Sequence, residues 1–122
     1  MNELALSCSL VYNKNSISLS ETINNLLVSV SGNGLNSLTS FTATTSAVAI
    51  PLGSSTIAGG FLFILNNDPT NYVNILTGTS GTIFARLNPG EFALLRLDSS
   101  VTAPAVQAHT GSCFVKFCIF DL

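Results

Sequence analysis

The sequence predicts an all-β protein, an antiparallel β-sandwich or barrel of about nine strands, and three observations carry that reading. Apolar residues recur at every second position in much of the chain, turn residues interrupt them at short intervals, and no segment sustains a helical period. Short strands in that rhythm bury one face each and need a second layer to cover it.

Taken in order, Leu4, Leu6, Cys8, Leu10 and Tyr12 alternate with Ala5, Ser7, Ser9 and Val11, as a strand with one buried face does. Asn13-Lys14-Asn15 reads as a turn. Ile17 and Leu19 alternate with serines, and Leu26, Val28 and Val30 continue until Gly32-Asn33-Gly34. Between them, Glu21 to Asn25 reads as a bend or a single helical turn. From Ser40 to Ile50 the apolar phase slips, with Phe41 and Ala43 at odd positions and Val48 and Ile50 at even ones. A bulge near Thr45 and Ser46 would bend such a strand as it passes between sheets. Pro51 to Ser55 is a loop, and the unbroken apolar run Phe61 to Leu65 predicts a central strand covered on both sides. Tyr72 to Leu76, Thr82 to Leu87, Glu91 to Leu97, Val101 to Gln107 and Cys113 to Phe120 complete the set. Pro104 predicts an edge position for its strand.

With 122 residues and no linker, repeat or low-complexity tail, one domain is expected to fill 1–122. Charged residues are 8% of the chain, against about 25% in an ordinary soluble domain. Ser, Thr, Asn and Gly make up the difference, and such scarcity of charge suggests a surface covered by other subunits. Lys14, Arg86, Arg96 and Lys116 are the cations, and the formal net charge is -2. Four dispersed cations cannot neutralise a run of phosphates, so no nucleic-acid partner is expected. The apolar runs fall short of the roughly 18 residues of a membrane helix, and no cationic leader opens the chain. Assembly in the cytoplasm, with no membrane partner, is the expectation. Cys8, Cys113 and Cys118 have no metal-type spacing and read as free thiols acting as small buried hydrophobes.

Candidates for chemistry are few. His109 with Asp98 or Asp121 and a nearby serine would make a triad on paper, but no nucleophile elbow orders it. Glu3, Glu21, Asp68, Glu91, Asp98 and Asp121 fall mostly at strand ends or turns, unlike a glycosidase pair. Gly32-Asn33-Gly34 and Gly78-Thr79-Ser80-Gly81 lack the lysine and helix of a phosphate loop. Asn66, Asn67, Asp68 and Asn71 gather side-chain oxygens, yet a single carboxylate with this spacing is better explained as Asx-turn chemistry around Pro69 than as a calcium loop. No catalytic residue, cofactor or metal is expected.

The informative surface lies around Asn88-Pro89-Gly90, read as the turn of a hairpin that pairs Leu87 with Glu91. One face then carries Ile83, Ala85, Leu87, Ala93, Leu95 and Leu97 as core. The other carries Phe84, Arg86, Phe92, Leu94 and Arg96, and the last strand repeats the pattern with Phe114, Lys116, Cys118 and Phe120. Aromatics mixed with arginine are characteristic of protein interfaces. The interface residues expected are therefore Phe84, Arg86, Phe92, Leu94, Arg96, Phe114, Lys116 and Phe120.

Several of these residues also carry a resemblance. Gly59-Gly60 with its apolar strand, Asn66-x-Asp68-x-x-Asn71-Tyr72-Val73-x-Ile75, Leu87-x-Pro89-Gly90-Glu91-x-Ala93-Leu94-Leu95-Arg96-Leu97, the alanine-containing segment Ala103 to Ala108 and the apolar C-terminal strand resemble small structural proteins of tailed bacteriophages. The similarity covers the C-terminal half to two thirds of the chain. It implies a jelly-roll-like sandwich in the virion: a capsid decoration or cement protein on the shell surface, with the major capsid protein or another virion protein as partner and a homotrimer as the favoured assembly. It leaves a neck or tail component as an alternative, and the sandwich fold by itself leaves a receptor- or carbohydrate-binding module.

Overall fold

The computed structural model of the protein describes residues 3–30, 39–52 and 59–120. Ten strands, all paired antiparallel, lie among them. Expected as one domain, the chain divides into two compact units, Met1–Ser31 and Gly32–Leu122.

The first unit is a long two-stranded hairpin, β1 (Leu4–Lys14) and β2 (Ile17–Val28). Lys14 pairs with Ile17, so the loop is the two residues Asn15 and Ser16, one residue beyond the expected turn. Both have positive φ, 51° and 65°, the primed turn whose twist matches that of the strands it joins. Glu21 to Asn25 stays in the strand instead of bending away. The extra residue is absorbed where the register shifts between Leu6 and Cys8: Asn25 turns left-handed at φ 57° and donates its backbone N–H to Ser7 Oγ at 3.1 Å.

The second unit is a sandwich of two four-stranded sheets. One sheet has the order β3 (Thr39–Ala43), β10 (Cys113–Phe120), β5 (Phe61–Asn66), β8 (Phe92–Arg96). The other runs β4 (Val48–Ala49), β9 (Ala105–Ala108), β6 (Val73–Leu76), β7 (Ile83–Leu87). The pairings are nested: β3 with β10, β4 with β9, β5 with β8 and β6 with β7. Between the sheets lie Leu62 and Ile64 of β5, Val115, Phe117 and Ile119 of β10, Val73 and Ile75 of β6, and Val106 of β9, all fully buried. Phe41 packs edge-on against Phe117, with centroids 5.4 Å apart. Burying each such side chain contributes about 1.5–3 kcal/mol, and this cluster is what holds the layers together.

Three expectations about local structure are corrected. The phase slip near Thr45 and Ser46 is a full break, with β3 in one sheet and β4 in the other. Ala108 N and Gln107 Nε2 donate to the carbonyls of Thr44 and Thr45 and hold the corner. Pro104 does not mark an edge strand, because β9 lies between β4 and β6. The proline sits one residue before the ladder, where no N–H is needed, and its carbonyl accepts Ile50 N at 2.9 Å. β5 is central, but alternates between buried and half-buried side chains, so its Phe61, Phe63 and Leu65 face outwards.

Candidate interaction surface

Those outward residues belong to a continuous apolar face. Opposed residues share a side of an antiparallel sheet, and the register sets three rows across β10, β5 and β8: Phe120, Phe61 and Arg96; Cys118, Phe63 and Leu94; Lys116, Leu65 and Phe92. Phe114 extends the face beside Thr42 of β3. Phe92 and Phe114 are each 62% exposed. The rings of Phe63 and Phe92 lie 6.0 Å apart, and the Arg96 guanidinium lies 5.7 Å from the Phe61 ring centre while its Nε donates to Gly59 O at 3.1 Å. Arg96 is thereby held over an aromatic face, the geometry in which a cation and a ring attract.

Of the eight interface residues expected from sequence, six are on this face: Phe92, Leu94, Arg96, Phe114, Lys116 and Phe120. Phe84 and Arg86 are not. Their strand, β7, pairs with β6 in the other sheet, so Asn88-Pro89-Gly90 joins two sheets and is not a hairpin turn. The physical reason is the side chain of Asn66, fully buried at the end of β5. Its Nδ2 donates to the carbonyls of Leu87 (3.0 Å) and Asn71 (2.9 Å), and its Oδ1 accepts Asp68 N (3.0 Å). Asn66 also exchanges backbone bonds with Gly90 and Glu91, which hands the chain across from one sheet to the other. Of the six residues expected as core around this turn, Ile83 is half exposed, whereas Leu87 and Leu97 are buried.

Arg86 is the outer layer of a separate stack. Its guanidinium lies 4.0 Å from the centre of the Tyr72 ring, and Tyr72 stacks on His109 at 4.5 Å and 15°. Asp98 accepts from Ser100 Oγ and Ser100 N, and these bonds hold its carboxyl below the ordinary value. Asp121 and Gly32-Asn33-Gly34 lie outside the described residues. The Asx reading of Asp68 holds: its Oδ2 accepts Asn71 N (2.7 Å) and Thr70 N (3.0 Å), which lower its pKa.

Among the described residues no three His, Cys, Asp or Glu side chains come together as a metal site. Cys113 and Cys118 are buried, and burial pushes both thiols up, with the Asp68 charge adding to the effect at Cys113. Cys8, expected inside, is exposed. A shallow open cleft of about 470 Å³ between Thr77–Gly81 and Ser100–Ala103 offers hydroxyls and backbone, and no ionisable group lines it.

The hairpin presents a second apolar face. Its paired rows are Leu6 with Leu26, Cys8 with Ile23, Leu10 with Glu21, Tyr12 with Leu19, and Lys14 with Ile17. The alternation was expected to bury this face, yet Leu10, Tyr12, Ile17, Leu19, Ile23 and Leu26 are all exposed. The sequence pattern fixes which side is apolar, and a two-stranded sheet has no second layer of its own to cover it. Searches against known protein families, curated proteins and solved structures find no match for this chain.

Proposed function

We propose that this chain is a non-enzymatic structural protein of a tailed-phage virion, which decorates or cements the capsid through subunit contacts after assembly in the host cytoplasm. The observation that carries this reading is the apolar outer face of the β3-β10-β5-β8 sheet, a Phe-rich surface with Arg96 and Lys116 on a chain that carries little charge elsewhere. The nested strand order supports a jelly-roll reading, since a ribbon that pairs its first strand with its last and folds into two layers gives that order.

The action is mechanical. Apolar area removed from water contributes about 25 cal/mol per Å², and a homotrimer, the favoured assembly, would present three copies of each weak contact to the major capsid protein. Linking contacts in one particle raises the effective concentration of each after the first is made. Phe92, Leu94, Phe114 and Phe120 supply the area, and Arg96 and Lys116 set register through polar bonds.

The test is to label virions from the lysate that carries the gene with an antibody to this chain, and to co-sediment the purified protein with emptied shells. Label over the shell and saturable binding support the reading; label confined to the tail, or no binding, overturns it. A neck, tail or carbohydrate-binding role is favoured only by the hydroxyl-lined cleft beside Thr77 and Ser100. A specific glycan-array hit that is lost on Thr79→Trp would support that alternative.

A further inference from the structure

We infer that the apolar face of the β1–β2 hairpin is a docking surface for the same face of a second copy of this chain. An isolated two-stranded hairpin is marginal in water, because neither strand has a layer behind it. This one exposes six large apolar side chains on one side, whereas the other carries mainly serines, threonine and asparagine with Val11 and Leu27 as its exposed large apolar residues. Four of the six, Leu10, Tyr12, Ile17 and Leu19, lie in the three rows nearest the turn and expose on the order of 450 Å² per copy, about half of the roughly 800 Å² that each partner brings to an interface of standard size, which suits a weak, concentration-dependent contact.

Charge selects the occupant. The two strands carry one cation and one anion, Lys14 and Glu21, and both lie on the apolar face. They sit two rows apart, about 13 Å along the strands, too far to pair within one hairpin. Let two hairpins stack face to face with strands antiparallel, about a two-fold axis across the Tyr12–Leu19 row. Lys14 of each copy then lies over the Leu10–Glu21 row of the other, and two ion pairs form that neither copy makes alone. Tyr12 and Leu19 meet their own counterparts at the centre. A surface that is complementary to itself under a two-fold axis is what an isologous contact requires.

This inference shares with the proposed function the idea of an assembling subunit, but uses a different surface and a different symmetry. Two-fold pairing gives an even number of chains: two, or six where trimers are paired through their hairpins.

The experiment is native mass measurement and sedimentation of the full chain between about 0.1 and 100 µM. Wild type is expected to associate into even-numbered species at the upper end. Leu10→Glu with Leu19→Glu should weaken association at least tenfold. Because that variant can also disturb the hairpin itself, the deciding pair is charge reversal: Lys14→Glu weakens association about tenfold, and adding Glu21→Lys restores it. A monomer or a plain trimer throughout the range, or a reversal that the second substitution does not rescue, overturns the inference. A trimer that still binds shells would leave the proposed function standing.

Discussion

Asn66 joins three separate stretches of backbone through one fully buried side chain. A buried amide that satisfies two carbonyls and one N–H ties the Asn66–Asn71 loop and the end of β7 to β5. Asn66→Ala leaves those groups unpaired in a site with no room for bulk water, and is expected to cost about 2–4 kcal/mol in urea unfolding. Asp68, two residues on, predicts a pH effect. Its folded pKa is depressed by the Asn71 and Thr70 N–H groups, so its contribution is complete above the unfolded carboxyl value near 4 and is lost as pH falls through the lower folded value. Asp68→Asn should therefore lower the urea midpoint at pH 6 and flatten its fall as the pH drops below about 4. The role of Asp68 is legible from Asn-Asp-Pro-Thr-Asn, because Asx chemistry is local. That of Asn66 is not: a polar residue closing an apolar run reads as the start of a turn, and only the long-range partners show it to be a core residue.

At the scale of elements, a period of two identifies a strand and its faces but says nothing about its neighbour. β7 and β8 illustrate this, since Asn88-Pro89-Gly90-Glu91 is a sound tight turn, with Glu91 N donating to Asn88 O at 3.0 Å and Gly90 at φ 81°. The same turn serves a hairpin or a crossing between sheets, and the choice is made by Asn66, more than twenty residues earlier in the chain. Gly90→Ala should cost about 1 kcal/mol by thermal unfolding, through left-handed strain alone, since nothing lies within 4 Å of the added carbon. In the hairpin the balance is reversed. Ser16 holds φ 65° with a side chain, so Ser16→Gly creates the favoured Asn-Gly pair and should stabilise that turn by about 0.5 kcal/mol. The readout is slower amide exchange at Lys14 and Ile17, with the exchange of the sandwich core unchanged.

For the whole molecule, the outer sheet face separates stability from assembly. Phe92 and Phe114 are 62% exposed, so replacing each with glutamate removes little buried area and creates no cavity. Six of the eight expected interface residues are brought together there because alternation along β8 and β10 sets their faces whichever strands lie beside them. Phe61, Phe63 and Leu65 read as core in the sequence because an unbroken apolar run looks the same whether its second side is covered by the fold or by a partner. That ambiguity has a measurable consequence. If a partner covers the face, Phe92→Glu with Phe114→Glu should change unfolding free energy by no more than about 1 kcal/mol, the sum of two ordinary surface substitutions. The same pair should abolish co-sedimentation with shells, since the two most exposed rings of the face would be replaced by carboxylates that must lose their water in the contact. Loss of binding together with loss of the fold would instead mean that these rings stabilise the sandwich itself, and retention of binding would move the contact to another surface. Arg96→Ala serves as the graded control: it leaves the apolar rows in place, removes the cation held over Phe61, and should weaken attachment by about tenfold without shifting the melting temperature by more than a few degrees.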